Sequence, residues 1–269
     1  MARSARLVCL LLVPLTTAVW AADAPKTPAS NAATASAAAA TPASAADADV
    51  VNPQVVDKVV QMGNYLRSLQ AFQLNASFDR DVVLDNGQKI KMLGATELVV
   101  QGKTHLFARV ESDTQNREYF YNGKQLTQYS PTLKFYTTVK APPSISEMLH
   151  DLDDYYGLRL PMEDMFLFGS DQSQIDALKA AAYVGPSKVE GKLCDHLAFR
   201  QDGADWQLWV SRSDKPLPCK LVITTTDDDS RPEYSAVYRW NLTPGAKDAS
   251  FTFTPGKGDT AIPFKKVKE

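Results

Sequence analysis

The sequence is poor in the residues from which most catalytic and metal sites are made. It has three histidines, His105, His150 and His196, and three cysteines, Cys9, Cys194 and Cys219, in 269 residues. No H-E-x-x-H, G-x-S-x-G, P-loop or G-x-G-x-x-G spacing occurs, so zincin, α/β-hydrolase, phosphate-loop and dinucleotide chemistry have no local signature. There is no C-x-x-C for dithiol redox work. Neither sign of charge dominates: 29 Lys and Arg face 31 Asp and Glu, for a net charge of −2. No basic stripe interleaved with aromatics exists, which argues against nucleic acid as a partner. Long apolar runs are missing too. Leu7–Leu15 is too short to cross a bilayer, so no membrane span is expected. No cofactor is implied, and the missing motifs argue against an enzyme.

What is present begins with an export signal. Arg3 and Arg6 precede the apolar run, and Val19-Trp20-Ala21 offers a small-residue cleavage site. Residues 1–21 read as a secretory signal peptide. Cys9 lies inside the run and not after it, so no lipid anchor is expected. Residues 22–50 are almost wholly Ala, Thr, Ser, Pro and Asp. Such a segment lacks the apolar surface to offset its conformational entropy and reads as a disordered linker. Residues 51–269 then form a single domain. The alanine-rich leader points to the periplasm of a Gram-negative bacterium.

The domain opens with a helix. Asn52 is an N-cap and Pro53 fits the first helical position. Val55, Val59, Met62, Leu66 and Leu69 make one apolar stripe. The pattern switches to period two at Phe72, Leu74, Ala76 and Phe78. Asp85-Asn86-Gly87 predicts a type I′ hairpin. Strands follow at Gln88–Met92, Thr96–Gln101, Thr104–Glu111, Asn116–Asn122, Lys124–Ser130 and Leu133–Lys140. Ser144-Ile145-Ser146-Glu147 is a capping box for a helix that Gly157 stops. Ile145, Met148, Leu149, Leu152 and Tyr156 are its stripe. Two short helices are predicted over Pro161–Phe168 and Gln172–Ala181. Strands resume at Lys188–Leu193, Cys194–Arg200, Asp205–Ser211, Cys219–Thr226, Tyr234–Leu242 and Phe251–Phe253. The fold class is α+β: one large curved antiparallel sheet, a half-barrel of about 11 strands, with the N-terminal helix and the central helical insert as its lid.

The few chemistry-bearing residues have plain readings. His150, Asp153 and Asp154 share a helix face, and Asp227-Asp228-Asp229-Ser230 reads as a loop. Cys194 and His196 point to one side of a strand, and with Cys219 they number three ligands, one short of structural zinc. In an oxidising compartment Cys194 and Cys219 suit a disulfide. The predicted strand order, however, sets them two strand spacings apart, so a bridge needs a bulge or another order. The disulfide stays open on sequence.

The stretches "CDHLAFR…DWQLWV…PLPCKLVIT", "YNGKQLTQYSPTLKFYTTVKAPPSISEML", "LPMEDMF", "WNL" and "FTF" resemble a family of bacterial predicted periplasmic proteins, a domain-of-unknown-function family, over roughly residues 52–264. The architecture is similar to that of the LolA, LolB and LppX carriers, which bind acyl chains on the concave face of a curved sheet under a helical lid. LolB-like and LppX-like proteins carry a lipid anchor, whereas no lipobox occurs here. The resemblance implies a monomeric, non-enzymatic binder or carrier of an acyl chain, lipid or lipoprotein. Its alternatives are a protein-interaction or sensor module of the cell envelope, and lastly a hydrolase. The residues expected to line an apolar hollow are Val59, Met62 and Leu66 on the first helix, Met148, Leu149 and Leu152 on the second, and Trp206, Leu208 and Val210 on one strand face.

Overall fold

A computed structural model describes residues 50–156, 172–245 and 251–264. The expected signal peptide, all of the expected linker but Val50, Gly157, the helix expected over Pro161–Phe168 and residues 265–269 lie outside the described residues. Helix α1 (Pro53–Ser68) starts where its cap predicts: the Asn52 side chain accepts from the Gln54 amide at 2.9 Å. Its stripe is buried, from Val55 through Val59 and Met62 to Leu66.

The sheet has twelve strands: β1 (Ala71–Val83), β2 (Lys89–Gln101), β3 (His105–Ser112), β4 (Gln115–Tyr121), β5 (Gln125–Ser130), β6 (Phe135–Lys140), β7 (Leu178–Val189), β8 (Lys192–Gln201), β9 (Ala204–Ser211), β10 (Pro218–Thr225), β11 (Glu233–Asn241) and β12 (Thr260–Ala261). Their spatial order is β12-β6-β5-β4-β3-β2-β1-β11-β10-β9-β8-β7. Every pairing is antiparallel except β12 with β6. Two meanders are thus joined through β1, which pairs with β2 on one side and with β11 on the other. Helix α2 (Ile145–Tyr156) and the short α3 (Gln172–Asp176) separate the meanders.

Five sequence expectations are corrected. Gln88–Met92 and Thr96–Gln101 are one strand, β2, not two. Gly94 lies in its middle because the Phe78 ring crosses there; a Cβ would come within 2.2 Å of it and within 2.7 Å of the Glu111 carbonyl. The Asp85-Asn86-Gly87 turn is a three-residue loop in which only Gly87 has positive φ, so it is not type I′. The helix expected over Gln172–Ala181 ends at Asp176, and Leu178–Ala181 begin β7, where pairing with β8 overrides the helix propensity of alanine. Lys188–Leu193 is no strand but a hairpin: Glu190 and Gly191 take φ of 47° and 80°, the positive pair a two-residue turn demands. Phe251–Phe253 forms no strand either, and the last one is the two-residue β12.

One face of the sheet is covered by α1 and α2 and holds the main core. Phe72, Leu74 and Ala76 of β1, Leu98 and Val100 of β2, Tyr119 and Tyr121 of β4 and Ala236 and Tyr238 of β11 all point there. Alternation along each strand puts them on one side, as a sheet buried on that side requires. The opposite, outer face has two smaller covers. Phe253 packs on Phe120, Tyr129 and Tyr136, so the C-terminal segment straps the outer face of the first meander before β12 extends its edge. Cys194, Trp209, Cys219 and Val222 form a separate cluster on the second meander.

Candidate functional site

The sequence-predicted hollow residues come together on the inner face. Val59, Met62 and Leu66 of α1, Met148 and Leu152 of α2, and Trp206, Leu208 and Val210 of β9 belong to one cluster of buried side chains. Leu149 is half-buried at its edge. The α1 stripe packs directly as core. Beside α2 a half-open cavity of about 220 Å³ remains; Leu126, Val139, Met148, Leu152, Tyr155 and Tyr156 line it together with the charged Lys140 and Asp151.

Each helix is tied to the sheet by a polar contact. Lys58 of α1 reaches Asp195 of β8 at 2.7 Å. The Tyr183 hydroxyl donates to the same carboxylate at 2.9 Å, and Arg212 stands 3.4 Å away. Burial pushes the Asp195 carboxyl up, but the hydrogen bonds from Lys58 and Tyr183 and the charges of Lys58 and Arg212 together hold it below the usual carboxylate range. At α2 the Ser144 hydroxyl caps the Glu147 amide at 3.2 Å and donates to the Glu147 carboxylate. The Tyr121 hydroxyl donates to the Pro142 carbonyl, fixing the approach to α2. Burial, helped by the charge of Glu147, pushes the Tyr121 phenol up to about 12. Tyr238 lies in the same core; burial holds its phenol well above the ordinary range, and its hydroxyl has no hydrogen-bond partner among the described residues.

A larger groove of about 750 Å³ opens at the end of the sheet where β8 begins and β9 and β11 end. Its apolar walls include Leu193, Leu217, Trp240 and Leu242. The Trp240 indole N–H donates to the Pro218 carbonyl at 2.8 Å, holding the ring against the start of β10. The sequence reading did not single out this groove. Its walls come from a loop and four strand ends, and no periodic pattern marks them.

The disulfide forms in the expected strand order. Pro218 pairs with Val210 but Lys220 pairs with Trp209, so Cys219 is the extra residue of a bulge. Cys194 faces Ser211 on the other side of β9. The bulge brings the two Cα atoms to 7.1 Å across the end of β9, and the bond is made. The thiols are therefore not free for a metal. His196 stacks on Trp209 with ring centroids 4.0 Å apart, and its Nε2 meets the Gln207 side-chain oxygen at 2.9 Å. Asp228 closes its own loop by accepting from the Ser230 amide at 2.9 Å. His150 pairs with Asp154 on the exposed side of α2. Among the described residues no group of three or more His, Cys, Asp and Glu is arranged to hold a metal ion.

The family model described as "Predicted periplasmic protein (DUF2092)" matches residues 57–265. The chain belongs to this family. Its location is accordingly the periplasm, and no helix among the described residues is long and apolar enough to cross a membrane. No curated protein matches the chain in sequence. Among solved structures it is similar to MucB, with 14% identity, a TM-score of 0.43 and coverage of 76% of this chain and 64% of that one. This chain thus spans less than two thirds of MucB. It is also similar to the lipoprotein LppX of Mycobacterium tuberculosis (8% identity, TM-score 0.38, 73% of this chain and 100% of that one). A LolA superfamily protein from Nitrosomonas europaea gives 12% identity, a TM-score of 0.34 and coverage of 76% and 98%.

Proposed function

We propose that this protein is a non-enzymatic periplasmic binding or carrier protein for an acyl chain, lipid or lipoprotein. One observation carries the reading: at the edge of the apolar core, where Tyr238, Trp240, Leu217 and Leu242 reach the surface, lies a groove of about 750 Å³, within the size range of small-molecule sites. Burying apolar ligand surface there stabilises a complex by about 25 cal/mol per Å² before ordering costs, with no covalent chemistry. The cavity beside α2 adjoins the same core, and Met148 and Leu152 line it.

A second reading, a protein-interaction module, draws on the β7 edge. Val50 and Asn52 bond to Ala181 at one point of that edge, whereas Tyr183 and Val184 beyond it are exposed. An exposed strand edge can accept a partner's strand. Native mass spectrometry of protein taken from its own periplasm without detergent separates the two. Bound species of lipid mass support the carrier. A stoichiometric protein partner with no lipid overturns the carrier in favour of the module.

A further inference from the structure

The groove beside the disulfide has a chemistry of its own. Lys192, Arg212 and Lys215 line it, and no Asp or Glu does. This concentration of cations stands on a chain whose net charge is −2. Arg212 shares Asp195 with Lys58 and Tyr183. Lys192 and Lys215 are exposed and have no acidic partner among the described residues; Asp214, in the same loop, is exposed and does not line the groove. Between the cations lies apolar surface. Leu193 is 47% exposed, and Leu217, Trp240 and Leu242 are each only partly buried where they pack on the core.

The walls are also held in place. The Cys194–Cys219 bond ties the start of β8, which carries Lys192 and Leu193, to the start of β10. The loop between β9 and β10 is braced by the Ser213 hydroxyl donating to the Lys215 carbonyl and by the Ser211 amide donating to the Leu217 carbonyl. A ligand therefore meets a preformed site and orders little on binding.

We infer that this groove binds an amphiphile with one long acyl chain and an anionic head. The chain lies along Leu193, Leu217, Trp240 and Leu242, and the head sits among Lys192, Arg212 and Lys215. Charge complementarity selects this occupant. A neutral lipid would leave Lys192 and Lys215 without a counter-charge, Arg212 already sharing Asp195, and a small anion would leave the apolar walls wet. The inference rests on the carrier reading and gives it a place and a head-group preference.

The test measures binding of a fluorescent C18 fatty acid to the full-length mature protein, with the matching neutral alcohol as competitor. The wild type is expected to bind the fatty acid in preference to the alcohol, more weakly as salt rises. Lys192→Gln/Lys215→Gln should weaken fatty-acid binding by about tenfold, because two of the three cations facing the head are gone, and leave alcohol binding unchanged. Leu193→Glu, at an exposed position, should weaken it further without changing the melting temperature. If the wild type binds both probes alike, or these variants bind the fatty acid as the wild type does, the groove assignment is overturned while the carrier reading stands. If no apolar probe binds at all, the carrier reading falls with it. Binding to phosphatidylglycerol vesicles but not to free fatty acid overturns the assignment in favour of a membrane-docking surface.

Discussion

Helix α1 buries six residues against the inner face, Val55, Val56, Val59, Met62, Gly63 and Leu66; helix α2 buries two, Met148 and Leu152. The difference does not come from length alone. α1 enters through a backbone link, the Asn52 amide donating to the Ala181 carbonyl at 3.0 Å, and is then held by Lys58 on Asp195. α2 also enters through a backbone link, the Ile145 amide donating to the Lys103 carbonyl at 2.8 Å, but is otherwise held at its ends, by Tyr121 on the Pro142 carbonyl and by Tyr156 stacking on Phe264, with a cavity along residues 148–156. A helix seated along its whole stripe contributes to global stability, whereas one seated at two points can lift locally at lower cost. The sequence patterns of the two stripes look alike. What separates them is how much of the sheet lies beneath each.

The largest effect is expected from Met62→Glu. A carboxylate placed at a site 1% exposed has no partner, and the variant should not fold under conditions where the wild type does; circular dichroism and a thermal melt check this. Met148→Glu, beside the cavity of about 220 Å³, should fold with a lowered melting temperature. Equal collapse of both would erase the contrast between the helices.

Removing the staple comes next. Cys194→Ala/Cys219→Ala opens a bridge between residues 25 apart, and the loop-entropy relation gives about 3.5 kcal/mol of lost stability in urea unfolding. A smaller loss, about 1–2 kcal/mol, is expected for Asp195→Asn, because the Lys58 side chain is 43% exposed and water screens the pair. The carboxyl is depressed in the folded state. Its contribution is therefore present above the unfolded carboxylate range and lost as pH falls below about 4. The acid limb of the stability curve should flatten in Asp195→Asn; an unchanged limb would show that Asp195 does not latch α1. The smallest effect is expected from Tyr121→Phe, about 1 kcal/mol for one hydrogen bond. Hydrogen exchange should then quicken in α2 and leave α1 protected. Quickening of α1 instead would reverse the assignment of the looser helix.

Much of the fold was legible because its signals are local. Asn52-Pro53 starts α1 and Ser144…Glu147 starts α2, since capping is decided within a few residues. Alternation placed Trp206, Leu208 and Val210 on one face of their strand and Trp209 on the other, and the structure makes the first of these the inner face. Errors arose where a distant contact outweighed a local preference. Gln88–Met92 and Thr96–Gln101 were read as two strands, but β2 runs through Gly94, where Phe78 crosses. Leu178–Ala181 look helical and become a strand through pairing with β8. The inner-face residues were found as a set, yet their state as packed core or open wall was not, because pattern reports direction and not distance.

The sequence by itself determined the antiparallel meanders, the two capped helices and which residues of each strand share a face. These follow from capping, turn chemistry and a side-chain period of two, all properties of neighbouring residues. Only the tertiary structure decided that β1 joins the two meanders, that a one-residue bulge at Cys219 lets the disulfide close, and that Lys192, Arg212 and Lys215 gather around one groove. Each of these depends on the register between segments far apart in the chain, and a single residue of slip there moves every side chain to the other face.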